Sequence, residues 1–252
     1  MDLGLAGRRA LVTGATKGIG RAIADVLIEE GATVSVCART PDEVEATVAA
    51  LSANGKAVGQ AVDAADGDAV RSWVTWSIEQ LGGADIYIHT TSAKPARALA
   101  GWDANFAVDL MALVHGVDVA GDELAASTNG NVVAIGTTAV AEHFATGSNS
   151  YSALKAAVTN WTLGQAQVFG ARGVRCNVVS PGPIFEESGD WGRIKQAMPA
   201  FFETAERGHP AGALGSPRDV ADAVAFLVSD RATHINGVNL TVDGGFLKRV
   251  DF

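Results

Sequence analysis

The chain has 252 residues, 19 Lys+Arg against 28 Asp+Glu (a formal charge of −9) and 48% hydrophobic residues. That is the composition of a globular protein large enough to bury its own core, and the length suits a single α/β domain spanning 1–252. The acidic balance argues against a nucleic-acid partner, and two cysteines, Cys37 and Cys176, are too few for a disulfide scaffold.

No run of about 18 apolar residues is present, so no membrane span is expected. Residues 1–6 are too short for a signal peptide, which favours a cytoplasmic chain. The first predicted element is a strand, Arg9–Thr13, ending in Gly14-Ala15-Thr16-Lys17-Gly18-Ile19-Gly20. Ile19, Ile23, Val26 and Leu27 then mark one face of a helix that Gly31 stops. A strand at 33–38 follows. Thr40-Pro41-Asp42-Glu43 reads as a helix start, with Thr40 as N-cap, Pro41 at the first helical position and Glu43 closing a capping box. Further strands are predicted at 57–62, 86–89, 132–135, 174–179 and 238–242, with helices around 69–81, 104–126, 151–170 and 217–228. Ser216-Pro217-Arg218-Asp219 repeats the cap-and-proline signature. Seven strands alternating with helices imply a parallel sheet covered on both faces. The segment 185–208, with Trp191, Met198, Phe201 and Phe202, breaks the alternation. It is placed to cover the crevice beyond the strand ends, or else it packs as a surface helix pair.

Glycines between a strand and a helix let backbone approach a phosphate, and the helix N-terminus offers unpaired N–H groups. Thr13-Gly14-x-x-x-Gly18-Ile19-Gly20, Tyr151-Ser152-Ala153-Leu154-Lys155 and Pro181-Gly182 occur in that order. Asp63, Asn177 and Val242-Asp243-Gly244-Gly245 accompany them. Together they resemble the short-chain dehydrogenase/reductase family along essentially the whole chain. The resemblance implies a Rossmann-like doubly wound sheet, a nicotinamide cofactor, a small-molecule carbonyl or alcohol substrate and a homo-oligomer, tetramer or dimer. It places Gly14, Thr16, Lys17, Gly18, Ile19 and Gly20 at the cofactor phosphates. It puts Asp63 at the adenine edge, unless that residue is only a strand-end cap.

The second strand ends in Ala38-Arg39, where NAD sites usually carry an acidic residue for the ribose 2′-hydroxyl. Arg39 can fork onto a 2′-phosphate, and Lys17 adds a second cation. The cofactor is therefore expected to be NADP(H).

Tyr151 and Lys155 stand i and i+4 on one helix face. A tyrosine titrates near 10, and a neighbouring ammonium is expected to lower that value. The family mechanism makes Tyr151 the proton donor to a carbonyl and has Lys155 bind the nicotinamide ribose. The family's serine is replaced: counting from Ile135 selects Thr137, and counting back from Tyr151 selects Thr138. Thr137 is taken as the carbonyl hydrogen-bond donor.

Other family positions also differ. His89-Thr90-Thr91-Ser92 stands in place of Asn-Asn-Ala-Gly, with His89 read as a core histidine. Asp109 replaces the asparagine of the proton relay, so the relay is rewired around Lys155. Glu186 replaces the threonine after Pro181-Gly182, leaving the Ile184 N–H for the carboxamide. The five histidines (His89, His115, His143, His209 and His234) lack metal-ligand spacing.

Three rival readings are weaker. A dehalogenase-like relative would pair tyrosine with arginine. An enoyl reductase would place lysine where Val158 stands. A nucleotide-binding sensor without turnover would not need Tyr151 and Lys155. The expected reaction is interconversion of an apolar or cyclic ketone and a secondary alcohol.

Overall fold

Strands buried on both faces must be apolar on both, and that is why they read as continuous Val/Ile/Leu runs. The computed structural model describes residues 2–93, 98–142 and 149–248. The strands are β1 (Arg9–Thr13), β2 (Thr33–Ala38), β3 (Ala57–Ala61), β4 (Ile86–His89), β5 (Gly130–Ile135), β6 (Val174–Pro181) and β7 (Asn239–Val242). They form one sheet in the order β3-β2-β1-β4-β5-β6-β7, all parallel.

Helices α1 (Gly18–Glu29), α2 (Pro41–Ser52) and α9 (Pro217–Val228) cover one face. Their Ile23, Leu27, Leu51, Val220 and Val224 meet Val12, Val34 and Ile88 of the sheet. Helices α3 (Gly67–Leu81), α5 (Ala112–Ala126) and α6 (Ser150–Gly170) cover the other with Trp73, Leu113, Val117 and Val158. The neighbouring strand residues Leu11, Tyr87 and Val132 point to that second face, as the two-residue strand period requires. Each such fully buried aliphatic side chain contributes roughly 1.5–3 kcal/mol, so both faces are held by burial. The order reverses between β1 and β4, which opens a crevice at their C-terminal ends. This is the expected doubly wound, single-domain fold.

Several expectations are corrected. β5 begins at Gly130 and β6 continues to Pro181, longer than the apolar runs alone mark. β3 stops at Ala61 and β7 starts at Asn239. The expected helix 104–126 begins at Leu99: α4 (Leu99–Asn105) runs through a wide π-turn (Phe106–Met111) into α5. The continuous helix Leu99–Ala126 is long and apolar enough, by length and composition, to cross a membrane. Here it packs its apolar side chains into the core beside α3.

Thr40 and Pro41 do start α2, but Thr40 makes no side-chain cap and no capping box forms. Glu43 turns instead toward Thr16 Oγ1 (3.2 Å) and Lys17 Nζ (3.7 Å). The box at Ser216 does form: Asp219 accepts from Ser216 N at 2.7 Å, and among the described residues it has no competing partner. Cys37 and Cys176 are free and buried, and burial pushes both thiols up to about 12.

Candidate active site

The glycine turn follows β1 directly. Gly14 and Gly18 adopt φ of 66° and 60°, which side chains rarely tolerate. A Cβ on Gly20 would lie 2.4 Å from Gly14 O, so only glycine lets α1 press this closely on the turn. The altered segment after β4 seals the turn from the other side. Thr90 N donates to Thr13 Oγ1 (3.0 Å), and Thr90 Oγ1 donates to Thr13 O (2.5 Å). His89 is fully buried between Thr13 Oγ1 (3.3 Å) and Thr91 Oγ1 (3.4 Å), and burial pulls its imidazole down to about 3. It is the neutral core histidine expected from the sequence.

Lys17 precedes α1 with its side chain largely exposed, and Ile19 packs against the core. Arg39 is exposed just past β2, two residues beyond Cys37, which pairs with Thr13 of β1. Asp63 is also exposed, and its Oδ1 accepts from Ala65 N (3.0 Å). These residues line one edge of the crevice. The glycine turn, with its backbone donors at the start of α1, fits a dinucleotide's phosphates, and Arg39 carries the chemistry to pair with a phosphate.

The end of β6 forms the opposite edge. Gly182 N donates to Val242 O (3.0 Å), and a Cβ on Gly182 would come within 2.7 Å of the Asp243 Cβ. Asn177 ties β6 to the approach to β7, donating to Ile235 O and accepting from Val238 N, each at 3.0 Å. After Pro181, a bridge joins Ile184 to Gly215 through Gly215 N–Pro183 O and Phe185 N–Gly215 O. That pattern uses neither polar group of Ile184. Glu186 reaches back across the crevice and accepts from Gly18 N at 3.1 Å.

Helix α6 presents Tyr151 and Lys155 to the crevice. Its N-cap is Asn149, whose side chain accepts from Ser152 N (3.0 Å). Thr137, at the turn after β5, hydrogen-bonds the Tyr151 hydroxyl, whereas Thr138 is buried at the start of a short 3₁₀ turn. Of the two threonines, Thr137 is the one whose side chain acts on the phenol. The loop at 143–148, whose length decided the count, and His143 lie outside the described residues.

Lys155 is 2% exposed and donates to Ile135 O (2.8 Å). Its Nζ lies 3.3 Å from Asp109 Oδ1. Asp109 is itself buried in the π-turn, accepting from Ser92 Oγ (2.5 Å), Ala93 N (3.0 Å) and Asn105 Nδ2 (2.9 Å). Ser150 Oγ extends the network by donating to Asn105 Oδ1 (2.6 Å).

One electrostatic expectation is overturned. The Tyr151 phenol is raised rather than depressed; burial pushes it up to about 12. The Thr137 hydrogen bond opposes that rise, while Asp109 and Asp190 add to it. Burial also pulls the Lys155 ammonium down, and Asp109 opposes this.

Ser92, Asn105 and Ser150 are site residues that sequence reasoning missed. The local signal for this network was Asn105 and Asp109, four residues apart on one helix.

The segment 185–208 forms α7 (Asp190–Ala197) and α8 (Pro199–Gly208). Its aromatic residues pack mostly on one another. Trp191 stacks on Phe201 (6.1 Å), Phe202 meets Phe185 edge-on (5.6 Å), and Lys195 Nζ lies over both Phe185 and Phe202. Phe202 is buried, whereas Met198 and Phe201 are about half exposed. The segment is therefore a self-packed hairpin, and its first helical residue, Asp190, acts electrostatically on Tyr151.

Comparison with known proteins agrees with this geometry. A family model described as enoyl-(acyl carrier protein) reductase matches residues 14–247. Isoepoxydon dehydrogenase of Penicillium expansum is 32% identical over 97% of this chain and 96% of its own. The 2,3-dihydro-2,3-dihydroxybenzoate dehydrogenase of Bacillus subtilis is 31% identical over 96% of this chain and 97% of its own. L-sorbose reductase from Gluconobacter frateurii, solved with NADPH and L-sorbose, superposes with a TM-score of 0.90. It is 26% identical, over 99% of this chain and all of that one. With a glycine turn, a Tyr-x-x-x-Lys helix and matches running nearly end to end, the chain belongs to the short-chain dehydrogenase/reductase family of oxidoreductases.

Proposed function

We propose that the protein is an NADP(H)-dependent oxidoreductase interconverting a ring-bearing ketone and its secondary alcohol. The observation that carries this is the joining of Thr137 to the Tyr151 hydroxyl, one helical turn from a buried Lys155. NADPH, when bound, supplies the hydride. Thr137 Oγ1 donates a hydrogen bond to the substrate carbonyl oxygen, where negative charge grows. Tyr151 gives that oxygen its proton. With its phenol at about 12, Tyr151 is protonated near neutrality and suited to the reducing direction. Lys155, fixed between Ile135 O and Asp109, offers its remaining donor capacity to the nicotinamide ribose hydroxyls. The Ile184 N–H serves the carboxamide, and Lys17 and Arg39 take the adenosine 2′-phosphate.

Support for the cofactor comes from Arg39 and from the NADPH-bound sorbose reductase. Support for a ring-bearing substrate comes from the dihydroxybenzoate-type relative and from the half-exposed apolar Met198 and Phe201. Val158, buried seven residues after Tyr151, leaves no lysine at the position an enoyl reductase would use.

The test is NADPH consumption across aliphatic, aromatic and alicyclic ketones. Alicyclic ketones are expected to turn over best. Tyr151→Phe should lower kcat by roughly 10²–10⁴-fold, and Thr137→Ala by about 10²-fold. Thr138→Ala should change it little. Full activity in Tyr151→Phe would sink the assignment, and a larger loss in Thr138→Ala than in Thr137→Ala would move the donor role.

A further inference from the structure

The first turn of α1 is short of negative charge. Lys17 at its N-cap provides no side-chain cap, and no acidic residue stands in the first turn. A bare N-terminus of this kind attracts an anion. The one supplied comes from 168 residues away: Glu186 Oε1 accepts from Gly18 N at 3.1 Å. A Cβ on Gly18 would lie 3.3 Å from Glu186 Oε2, so the carboxylate sits over the glycine itself.

Glu186 is also the joint of the α7–α8 hairpin. On its upstream side, Phe185 N is tied to Gly215 O (2.7 Å) on the body of the molecule. Downstream, Gly189 N donates to Glu186 O (3.0 Å), and Arg193 N donates to Gly189 O (3.1 Å). A Cβ on Gly192 would fall 2.6 Å from Glu186 O, so α7 is pressed onto the same carbonyl. The hairpin beyond is stiffened by its own aromatic cluster. A movement of Glu186 is therefore passed to α7 rather than absorbed by a slack loop.

We propose that Glu186 is a built-in surrogate for the dinucleotide's phosphates, its carboxylate pinning the α7–α8 hairpin to the glycine turn until NADP(H) displaces it. The inference rests on the nucleotide reading given above. Two anions cannot share one helix N-terminus without strong repulsion. The incoming pyrophosphate brings the greater charge and expels the carboxylate. Cofactor binding thereby frees the hairpin from the glycine turn.

The test is NADPH titration by nicotinamide fluorescence on wild type, Glu186→Ala and Glu186→Gln, with hydrogen exchange of peptides from 184–208. Losing a charged competitor should tighten NADPH binding by about tenfold in Glu186→Ala. Glu186→Gln, which keeps a neutral acceptor, should fall between. Without nucleotide, the 184–208 peptides of Glu186→Ala should exchange several-fold faster than those of wild type. Binding constants within twofold of wild type, or weaker, overturn the proposal, as does unchanged exchange. If wild type and both variants all fail to bind NADPH, the nucleotide reading falls and the proposal with it. If only the variants fail, Glu186 is part of the cofactor site and the proposal alone is lost.

Discussion

A lysine that is 2% exposed beside a wholly buried aspartate sets the chemistry of this site. A buried pair is costly to desolvate unless its remaining polar atoms are satisfied. Ile135 O, Ser92, Ala93 and Asn105 meet that requirement here. Burial keeps the Tyr151 phenol high, and Asp109 adds to the rise. Asp109→Asn should therefore lower the Tyr151 value, since Asp109 is among the groups that raise it. Oxidising an alcohol needs the phenolate, so the acid limb of kcat/KM for oxidation should move to lower pH. Oxidation near pH 8 should rise severalfold, while reduction does not gain. A pH profile of both directions checks this, and an unmoved limb would show that Asp109 has no hold on the phenol. Asp109 was legible as a departure from the family pattern. Its partners were not, because Ser92, Asn105 and Ser150 converge on it only through the packing of three separate segments.

At the level of elements, the apolar strand runs and the cap at Ser216 were legible because their signals are local. The cap at Thr40 misled for the opposite reason: Glu43 had a better partner in the glycine turn, distant in sequence. The π-turn had no local signal beyond Asn105 and Asp109 four residues apart, although such wide turns often mark functional positions. Asp85 is a second long-range device. Just before β4, it accepts from Arg9 N (2.9 Å), Arg9 Nε (2.8 Å) and Ser127 Oγ (2.6 Å), joining the starts of β1, β4 and β5. Burial alone would raise its carboxyl, but the Arg9 guanidinium and the hydroxyl hold it at about 2. The folded value is thus below the ordinary one. The stabilisation is complete above pH 4 or so and is lost as pH falls through about 2. A shift of this size corresponds to about 2 kcal/mol. Asp85→Asn should cost about that much in urea unfolding at neutral pH, and the gap from wild type should close as pH falls below about 3. A gap that persists undiminished at low pH would assign the loss to packing rather than charge.

The sheet order as a whole brings the pieces of the site together. Parallel register sets Thr13 beside Cys37, so the glycine turn after β1 and Arg39 after β2 emerge on the same edge. The same topology carries Asp109, Tyr151 and Glu186 from later crossovers to that edge, which explains why family spacing found the location but not the wiring. On this edge Lys17 is drawn toward Glu43 at 3.7 Å, whereas among the described residues no salt bridge engages Arg39. Arg39 is then the cation with its fork unoccupied, and it should dominate the choice between NADPH and NADH. Arg39→Asp replaces that fork with a carboxylate that repels a 2′-phosphate and accepts from a 2′-hydroxyl. The ratio of kcat/KM for NADPH to that for NADH should fall by about 100-fold or more, a loss of the size seen when one partner of a close charge pair is removed. Lys17→Ala should move the ratio less, because Glu43 already offsets that charge. An Arg39→Asp enzyme that kept its NADPH preference would place the discriminating contact elsewhere on this edge.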